Sequence, residues 1–325
     1  MFLWYFEKVN DEAKPISQIE SLLKMGYKAS PQSSDGVRYL DSKSEGISYP
    51  RGVLGTSVVE VAKEGSSFWL DSRANYVLNL LFQNNVKALW DIGAGDGAMT
   101  NRLGRRGIEV ISVEPLIEGA KAIASEGAPV FNSTLEELKL PDESIENIGL
   151  FDVLEHLEDP TALLFEVHRV LKPNGMVFIT VPAHKLLWSS HDEALGHFRR
   201  YSKKTLRNSI ELTDLTVMSI NYIFPSLVPI SFLSRTLPYR LGKGRDTKLV
   251  IQKSSKNLSL SKKIDRTMYK VLGVEQLFSK YLTMPFGLSL ILSAKTVTSS
   301  PVSTSTNFLS ELSKSKFSSV LLSIT

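Results

Sequence analysis

Leu89-Trp90-Asp91-Ile92-Gly93-Ala94-Gly95-Asp96-Gly97 is the stretch on which the fold turns. The apolar run Val86 to Trp90, broken by one lysine, reads as a buried strand. An acid follows, then glycines on three alternate positions. Glycine accepts positive φ and has no Cβ, so the chain turns sharply here and a ligand approaches the backbone closely. Ala98 to Arg106 reads as a helix whose free N–H groups face the same crevice. Strand, glycine turn and helix in this order mark a nucleotide-type site at the carboxyl edge of a parallel sheet.

Gly93-x-Gly95-x-x-Ala98 also satisfies a dinucleotide pattern, which alone is weakly specific. Charge separates the readings. The turn carries Asp91 and Asp96 and no lysine or arginine before Arg102, so a pyrophosphate would meet two carboxylates at repulsive range. A second strand, Glu109 to Val113, is closed by Glu114, 23 residues after Asp91 and placed to accept both ribose hydroxyls. A positively charged nucleoside fits such a site, and S-adenosylmethionine, with its sulfonium and ammonium, is one.

A chain of 325 residues, 42% hydrophobic, buries a sizeable core as one elaborated domain. Its net charge of +4 is uneven: Arg240 to Lys270 holds ten Lys/Arg against Asp246 and Asp265, a local +8 that leaves −4 for the rest. The absence of cysteine excludes disulfides, thiolate zinc sites and a cysteine nucleophile. Met1 to Phe6 is too short for a signal-peptide core. The uncharged run Leu215 to Ser234 approaches the length of a membrane span. Its Asn221, Pro225 and Pro229, and the alternation of Thr216 to Ile223, read instead as strand, turn and short helix. A cytoplasmic protein is expected, with peripheral membrane contact through the basic segment.

Residues 1–65 form a weakly patterned N-terminal extension, in which Ile16 to Met25 could be a helix. Ser66 to Gln83 has a helical apolar face of Trp69, Leu70, Tyr76, Val77, Leu80 and Leu81. As a lid it would bring Phe68, Trp69 or Arg73 to the ligand; more plainly, Trp69 is core and Arg73 a solvated charge. Ile117 to Gly127 is a helix, Val130-Phe131 a short strand, and Ile145 to Phe151 a strand ending at Asp152. Thr161 to Leu171 is amphipathic, with Asp159 as cap and Pro160 at its first position. Lys172-Pro173-Asn174-Gly175 turns the chain into a strand over Met176 to Val181. Strands at Thr216 to Ile223 and Leu288 to Ala294 follow, with a helix over Lys262 to Leu277. This alternation predicts an α/β, Rossmann-like doubly wound sheet. The main domain takes residues 66–239 and 264–295, around a basic insertion loop at 240–263, and a Ser/Thr-rich tail covers 296–325.

With these pieces in place the chain resembles the class I S-adenosylmethionine-dependent methyltransferases. The residues that carry the likeness are Asp91 to Gly97, Glu114, Phe151-Asp-Val-Leu-Glu-His-Leu-Glu-Asp-Pro160 and Leu171-Lys-Pro-Asn-Gly175. It is similar to the small-molecule group that includes the ubiquinone-biosynthesis O-methyltransferases. His197-Phe-Arg-Arg-Tyr201 looks like a segment of bacterial-type members associated with glycan or lipid pathways. The resemblance implies seven strands, mostly parallel with the last antiparallel. It implies Asp91, Gly93, Gly95 and Gly97 at the methionine and ribose portions of the donor, and Glu114 on the ribose.

Methyl transfer from a sulfonium is an in-line displacement, so positioning supplies much of the rate. An oxygen acceptor of high pKa also needs a base. The catalytic candidates are His191, His197 and His156, the last following the fourth strand, with His168 structural. Asp152 at the strand tip and Asn132, beyond the third strand, are further cofactor-binding candidates. Trp188, Arg200 and Tyr201 are candidates for substrate binding, in a loop that mixes stacking, anion-pairing and titratable groups. The plainer reading has Arg200 and Tyr201 tying the loop to the body. His184, His191, Asp192 and His197 are spaced by seven and six residues, which suits no helical ligand pair, so no metal is expected. The acceptor is a small molecule or a lipid or glycan intermediate. The alternatives are an NAD-dependent oxidoreductase, a nucleic-acid methyltransferase using the basic insertion, and an inactive binding protein of the same fold.

Overall fold

A computed structural model describes residues 68–243, 262–279 and 282–297. The expected N-terminal extension, most of the basic loop and nearly all of the tail lie outside these described residues.

The element order is α1 (Phe68–Gln83), β1 (Ala88–Ile92), α2 (Ala98–Gly104), β2 (Glu109–Val113), α3 (Ile117–Ser125), β3 (Val130–Phe131) and β4 (Ile145–Phe151). Next come α4 (Thr161–Val170), β5 (Leu171–Pro182), α5 (Ser190–Ala194), α6 (Lys203–Glu211) and β6 (Leu215–Ile223). The short α7 (Leu227–Ser231) and α8 (Leu237–Arg240), joined by a π turn, precede α9 (Lys262–Ser279) and β7 (Ser289–Thr296). The strands form one seven-stranded sheet in the order β3-β2-β1-β4-β5-β7-β6. All neighbouring pairs are parallel except the two made by β7, which runs antiparallel to both β5 and β6. The expected fold class is therefore found.

Alternation along β1 sorts the core into two layers, because successive side chains of a strand face opposite sides of the sheet. Trp90 joins Ile111, Ile148 and Leu150 under Leu164 and Val167 of α4 and Leu206 and Ile210 of α6. Leu89 joins Val110, Phe178 and Ile291 under Val77, Leu78 and Leu81 of α1 and Leu103 of α2. Both layers are apolar, as a sheet covered on both faces requires. Leu164 has no exposed surface, and truncating such a side chain to alanine costs about 2–5 kcal/mol. α9 completes the second layer through Leu272. Its Glu275 accepts hydrogen bonds from Tyr76 Oη at 3.0 Å and from the Ser226 amide at 2.9 Å, binding α9 to α1 and to the end of β6.

Two boundaries differ from expectation. The Lys172–Gly175 turn lies inside β5. Pairing jumps from Ile145↔Leu171 to Asn147↔Met176, so the segment bulges out while the strand resumes in register. Asn174 sits at φ 63, and a Cβ on Gly175 would meet the Lys172 carbonyl at 2.7 Å, which is why a glycine stands at 175. At α4, Pro160 itself is the flanking residue, while Asp159 Oδ1 accepts from the Thr161 amide at 2.9 Å. The run 215–234 is a strand, turn and short helices. Among the described residues no helix is long and apolar enough to cross a membrane.

Candidate functional site

The strand order changes direction between β1 and β4, and open α/β sheets hold ligands at the carboxyl ends of the strands at such a point. A cavity of about 180 Å³ lies there. Its floor is the turn, with Asp91, Gly93, Gly95 and Asp96; Met99 and Arg102 of α2, Leu70 and Arg73 of α1, and Phe151 and Asp152 at the end of β4 also line it.

All three glycines of the turn have positive φ. Their uses differ. A Cβ on Gly95 would meet nothing within 4 Å, so its bareness leaves the cavity open. A Cβ on Gly93 would meet Val153 Cγ2 at 2.9 Å, and one on Gly97 would meet Ile123 Cγ1 at 2.7 Å. Gly97 does not line the cavity; it lets α2 pack against α3. The α2 N-terminus is not bare either, because Asp96 Oδ1 takes the Ala98 N–H at 3.0 Å. Glu114 lies beneath the turn. Its Oε2 accepts from the Gly95 amide at 2.7 Å and its Oε1 from Leu116 at 2.8 Å, so the carboxylate clamps the glycine loop to the end of β2. Burial pushes its carboxyl up to about 7 against those bonds. Asn132 donates from Nδ2 to the carbonyls of Glu114 and Pro115, at 2.9 and 3.0 Å, bracing the same corner.

Asp91 is 1% exposed and accepts a 2.7 Å hydrogen bond from Thr100 Oγ1. Burial raises its carboxyl to about 6, although Thr100 and the charge of Arg73 oppose the rise. Arg73 corrects the charge pattern expected of this site. It is not a solvated charge: its side chain is 11% exposed and ion-paired with Asp152, and its Nε is buried without a hydrogen-bond partner. Arg102 is paired with Asp71 at 2.7 Å. The cavity thus mixes Asp91, Asp96 and Asp152 with two arginines. Trp69, as in the plainer expectation, is packed on Phe224 with ring centroids 4.5 Å apart.

Asp152, at φ 58, is held by Thr180 Oγ1 at 2.9 Å. Beyond it a 3-10 turn, Leu154–His156, meets the loop after β5. The two segments are joined by the Phe198 amide on the Glu155 carbonyl at 2.7 Å, Tyr201 Oη on the Leu154 carbonyl at 3.3 Å and Arg199 on the Leu157 carbonyl at 3.0 Å. That junction places His156 and His197 edge to face, with ring centroids 4.7 Å apart. The fully buried Asp192 organises the loop. It closes a capping box with Ser189, takes the N–H of His197 Nδ1 at 3.0 Å and accepts from Arg200 Nε at 2.7 Å. Burial works to raise the Asp192 carboxyl, but His197 and Arg200 outweigh it and hold it near 2.

Arg200 and Tyr201, the expected substrate contacts, are both bound into this junction by their side chains. Arg200 also donates to the Ala183 carbonyl at 3.1 Å, and Tyr201 is 3% exposed. Trp188 remains half-buried at the end of a 3-10 turn. His191 is lowered to about 3 by burial and by Arg235, and His156 to about 4 by burial and His197. Neither suits a base working near neutrality. The group no spacing rule reveals is Glu155. It is buried, its Oε2 has no hydrogen-bond partner, and burial together with Asp152 raises its carboxyl well above the usual range. Its only sequence signal is adjacency to His156 in the Glu-His pair.

Comparison with known proteins bears on residues 69–220, which match the family described as a methyltransferase domain. An uncharacterized methyltransferase of Mycobacterium bovis is 35% identical over 131 residues, covering 40% of this chain and 51% of that protein. The chain thus spans about half the length of the mycobacterial relatives it matches. The ubiquinone biosynthesis O-methyltransferase of Vibrio campbellii is 27% identical over 202 residues, covering 55% of this chain and 82% of that one. A SAM-dependent methyltransferase structure from Archaeoglobus fulgidus superposes with a TM-score of 0.46 at 20% identity, over 71% of this chain and 95% of that chain.

Proposed function

Residues 69–220 are a methyltransferase domain of the class I S-adenosylmethionine-dependent family, and from that premise we propose that the protein methylates an oxygen or nitrogen of a small molecule, glycan or lipid intermediate. The observation that carries this reading is the mixed charge of the cavity. The donor's amino-acid end carries an ammonium and a carboxylate, and its sulfonium adds a second positive charge. Asp91 and Asp96 suit the cations, and Arg73, with its unpartnered Nε, suits the carboxylate. Gly95 leaves room for the backbone to meet the donor. Each Glu114 oxygen keeps a second lone pair for a ribose hydroxyl, and Asn132 keeps its Oδ1 for the adenine side.

When bound, the donor supplies an electrophilic methyl carbon on a positively charged leaving group. In-line transfer would require the acceptor atom to be held about 3 Å from that carbon with water excluded. Asp152 stands at the boundary of donor cavity and acceptor side. Among the histidine candidates, His197 is held by the Asp192 carboxylate. That bond fixes its ring and leaves Nε2 as an electron-pair donor. The nucleic-acid reading depends on a basic loop lying mostly outside the described residues, and no observation favours it.

Titration calorimetry of the full chain with S-adenosylhomocysteine and, separately, with NAD tests the reading. Heat with the first and none with the second is expected; the reverse overturns it. Transfer of a labelled methyl group to hydroxyl- and amine-bearing acceptors then sorts the substrate class.

A further inference from the structure

Glu155, His156 and His197 each bring one ligand atom to within 4.8 Å of the others, the one such trio among the described residues. Glu155 Oε2 and His156 Nδ1 are both buried without hydrogen-bond partners. The Glu155 side chain is 1% exposed. Unpartnered polar atoms buried on two adjacent residues are costly unless something satisfies them. His197 has the partner that metal-binding histidines characteristically have. Its Nδ1–H goes to Asp192, which sets the tautomer and leaves the Nε2 lone pair free to ligate.

The geometry points to a divalent transition-metal site formed by Glu155, His156 and His197, with Asp192 as the carboxylate that orients His197. Two imidazole nitrogens and one carboxylate oxygen suit zinc or a first-row neighbour; calcium and magnesium prefer oxygen throughout. This replaces the expectation, drawn from the His184–His197 spacings, that no metal binds. Three protein ligands leave a coordination position open. Glu155 lies three residues past Asp152, which lines the donor cavity. The site's role rests on the methyl-transfer reading. An acceptor hydroxyl taking the open position is acidified and releases its proton to water; the oxygen–methyl bond then forms as the sulfur–methyl bond breaks.

The test uses the full chain, stripped with a chelator, dialysed, and titrated with Zn²⁺ alone or with Co²⁺ for its visible absorption. One equivalent of Zn²⁺ and visible Co²⁺ bands of a low-coordinate nitrogen and oxygen site are expected. Glu155→Gln and His197→Ala each weaken Zn²⁺ binding at least about tenfold, and Asp192→Asn roughly 10- to 100-fold. His168→Asn, on α4, leaves it unchanged. Wild-type protein with no stoichiometric Zn²⁺ and no Co²⁺ bands overturns the site, whether or not the variants fold. So do folded Glu155→Gln and His197→Ala variants that keep wild-type affinity. Because these readouts need no donor, Zn²⁺ binding without S-adenosylhomocysteine binding would defeat the methyl-transfer reading and leave the metal site standing.

Discussion

The Arg73 guanidinium, on α1, is ion-paired with the Asp152 carboxylate at the tip of β4, and both line the glycine-turn cavity. The contact ties α1, which lines the cavity through Leu70 and Arg73, to the end of β4. It also holds a cation in a site whose turn is acidic. Arg73→Ala is expected to weaken S-adenosylhomocysteine binding about 10- to 100-fold, the range for losing a charge-assisted hydrogen bond of about 1.5–3 kcal/mol. Arg73→Lys restores part of this, because a point charge replaces a planar fork. Calorimetry on the three proteins checks both statements; equal affinities would remove Arg73 from the donor site.

Gly95 and Gly97 share a left-handed backbone yet separate binding from stability. Either alanine costs about 1–2 kcal/mol for that backbone alone. Gly97→Ala adds a clash with Ile123 and is expected to lower the melting temperature more than Gly95→Ala does. Gly95→Ala meets no protein atom, so its larger effect falls on S-adenosylhomocysteine affinity. Thermal melts and titrations of both variants give the comparison, and the same order in both measurements contradicts it.

Much of this was readable from sequence because it is local. The apolar run at Val86 to Trp90, the glycine turn and Glu114 are each set by neighbours in the chain. The helix after Pro160 is set the same way. What was not readable comes from convergence between segments without a shared period. Arg73 lies 18 residues before Asp91 in a helix whose apolar face reads as core, and its burial depends on where α1 lands. Glu155 and His197 are 42 residues apart and meet because backbone bonds between the 3-10 turn and the loop after β5 bring them together. Arg200 and Tyr201 carry the chemistry of a binding loop, and their burial and hydrogen bonds to the Ala183 and Leu154 carbonyls depend on where that loop lands.

Asp91 predicts a conflict between stability and binding. Burial raises its carboxyl to about 6 from the ordinary 3.8. Between those values the native state holds a proton that the unfolded chain has released, so stability falls as pH rises through the window and stays lowered above it. Asp91→Asn removes the buried charge and keeps an oxygen for Thr100. The ligand-free variant is expected to melt higher than wild type at pH 7.5, with the gap closing toward pH 4, while its affinity for S-adenosylhomocysteine drops. Melting curves across that range decide the matter; a variant less stable than wild type at pH 7.5 contradicts the burial argument.

Asp192 runs the opposite way. Its native carboxyl is held near 2 against an ordinary 3.8, so it contributes stability that is fully present above about pH 4 and is lost as pH falls toward 2. The shift corresponds to about 2 kcal/mol. Removing the charge costs more, because Arg200 and His197 stay buried in the loop without their partner, and breaking such a pair costs about 3–5 kcal/mol. Asp192→Asn is therefore expected to lower stability at pH 7 by more than the shift alone and to flatten the acid limb of the stability curve between pH 4 and 2. Urea unfolding at pH 7 and at pH 3 measures both quantities. Equal losses at the two values would mean that the Asp192 charge is not what holds His197 and Arg200 in place. Asp192 would then orient His197 by shape and hydrogen bonding alone.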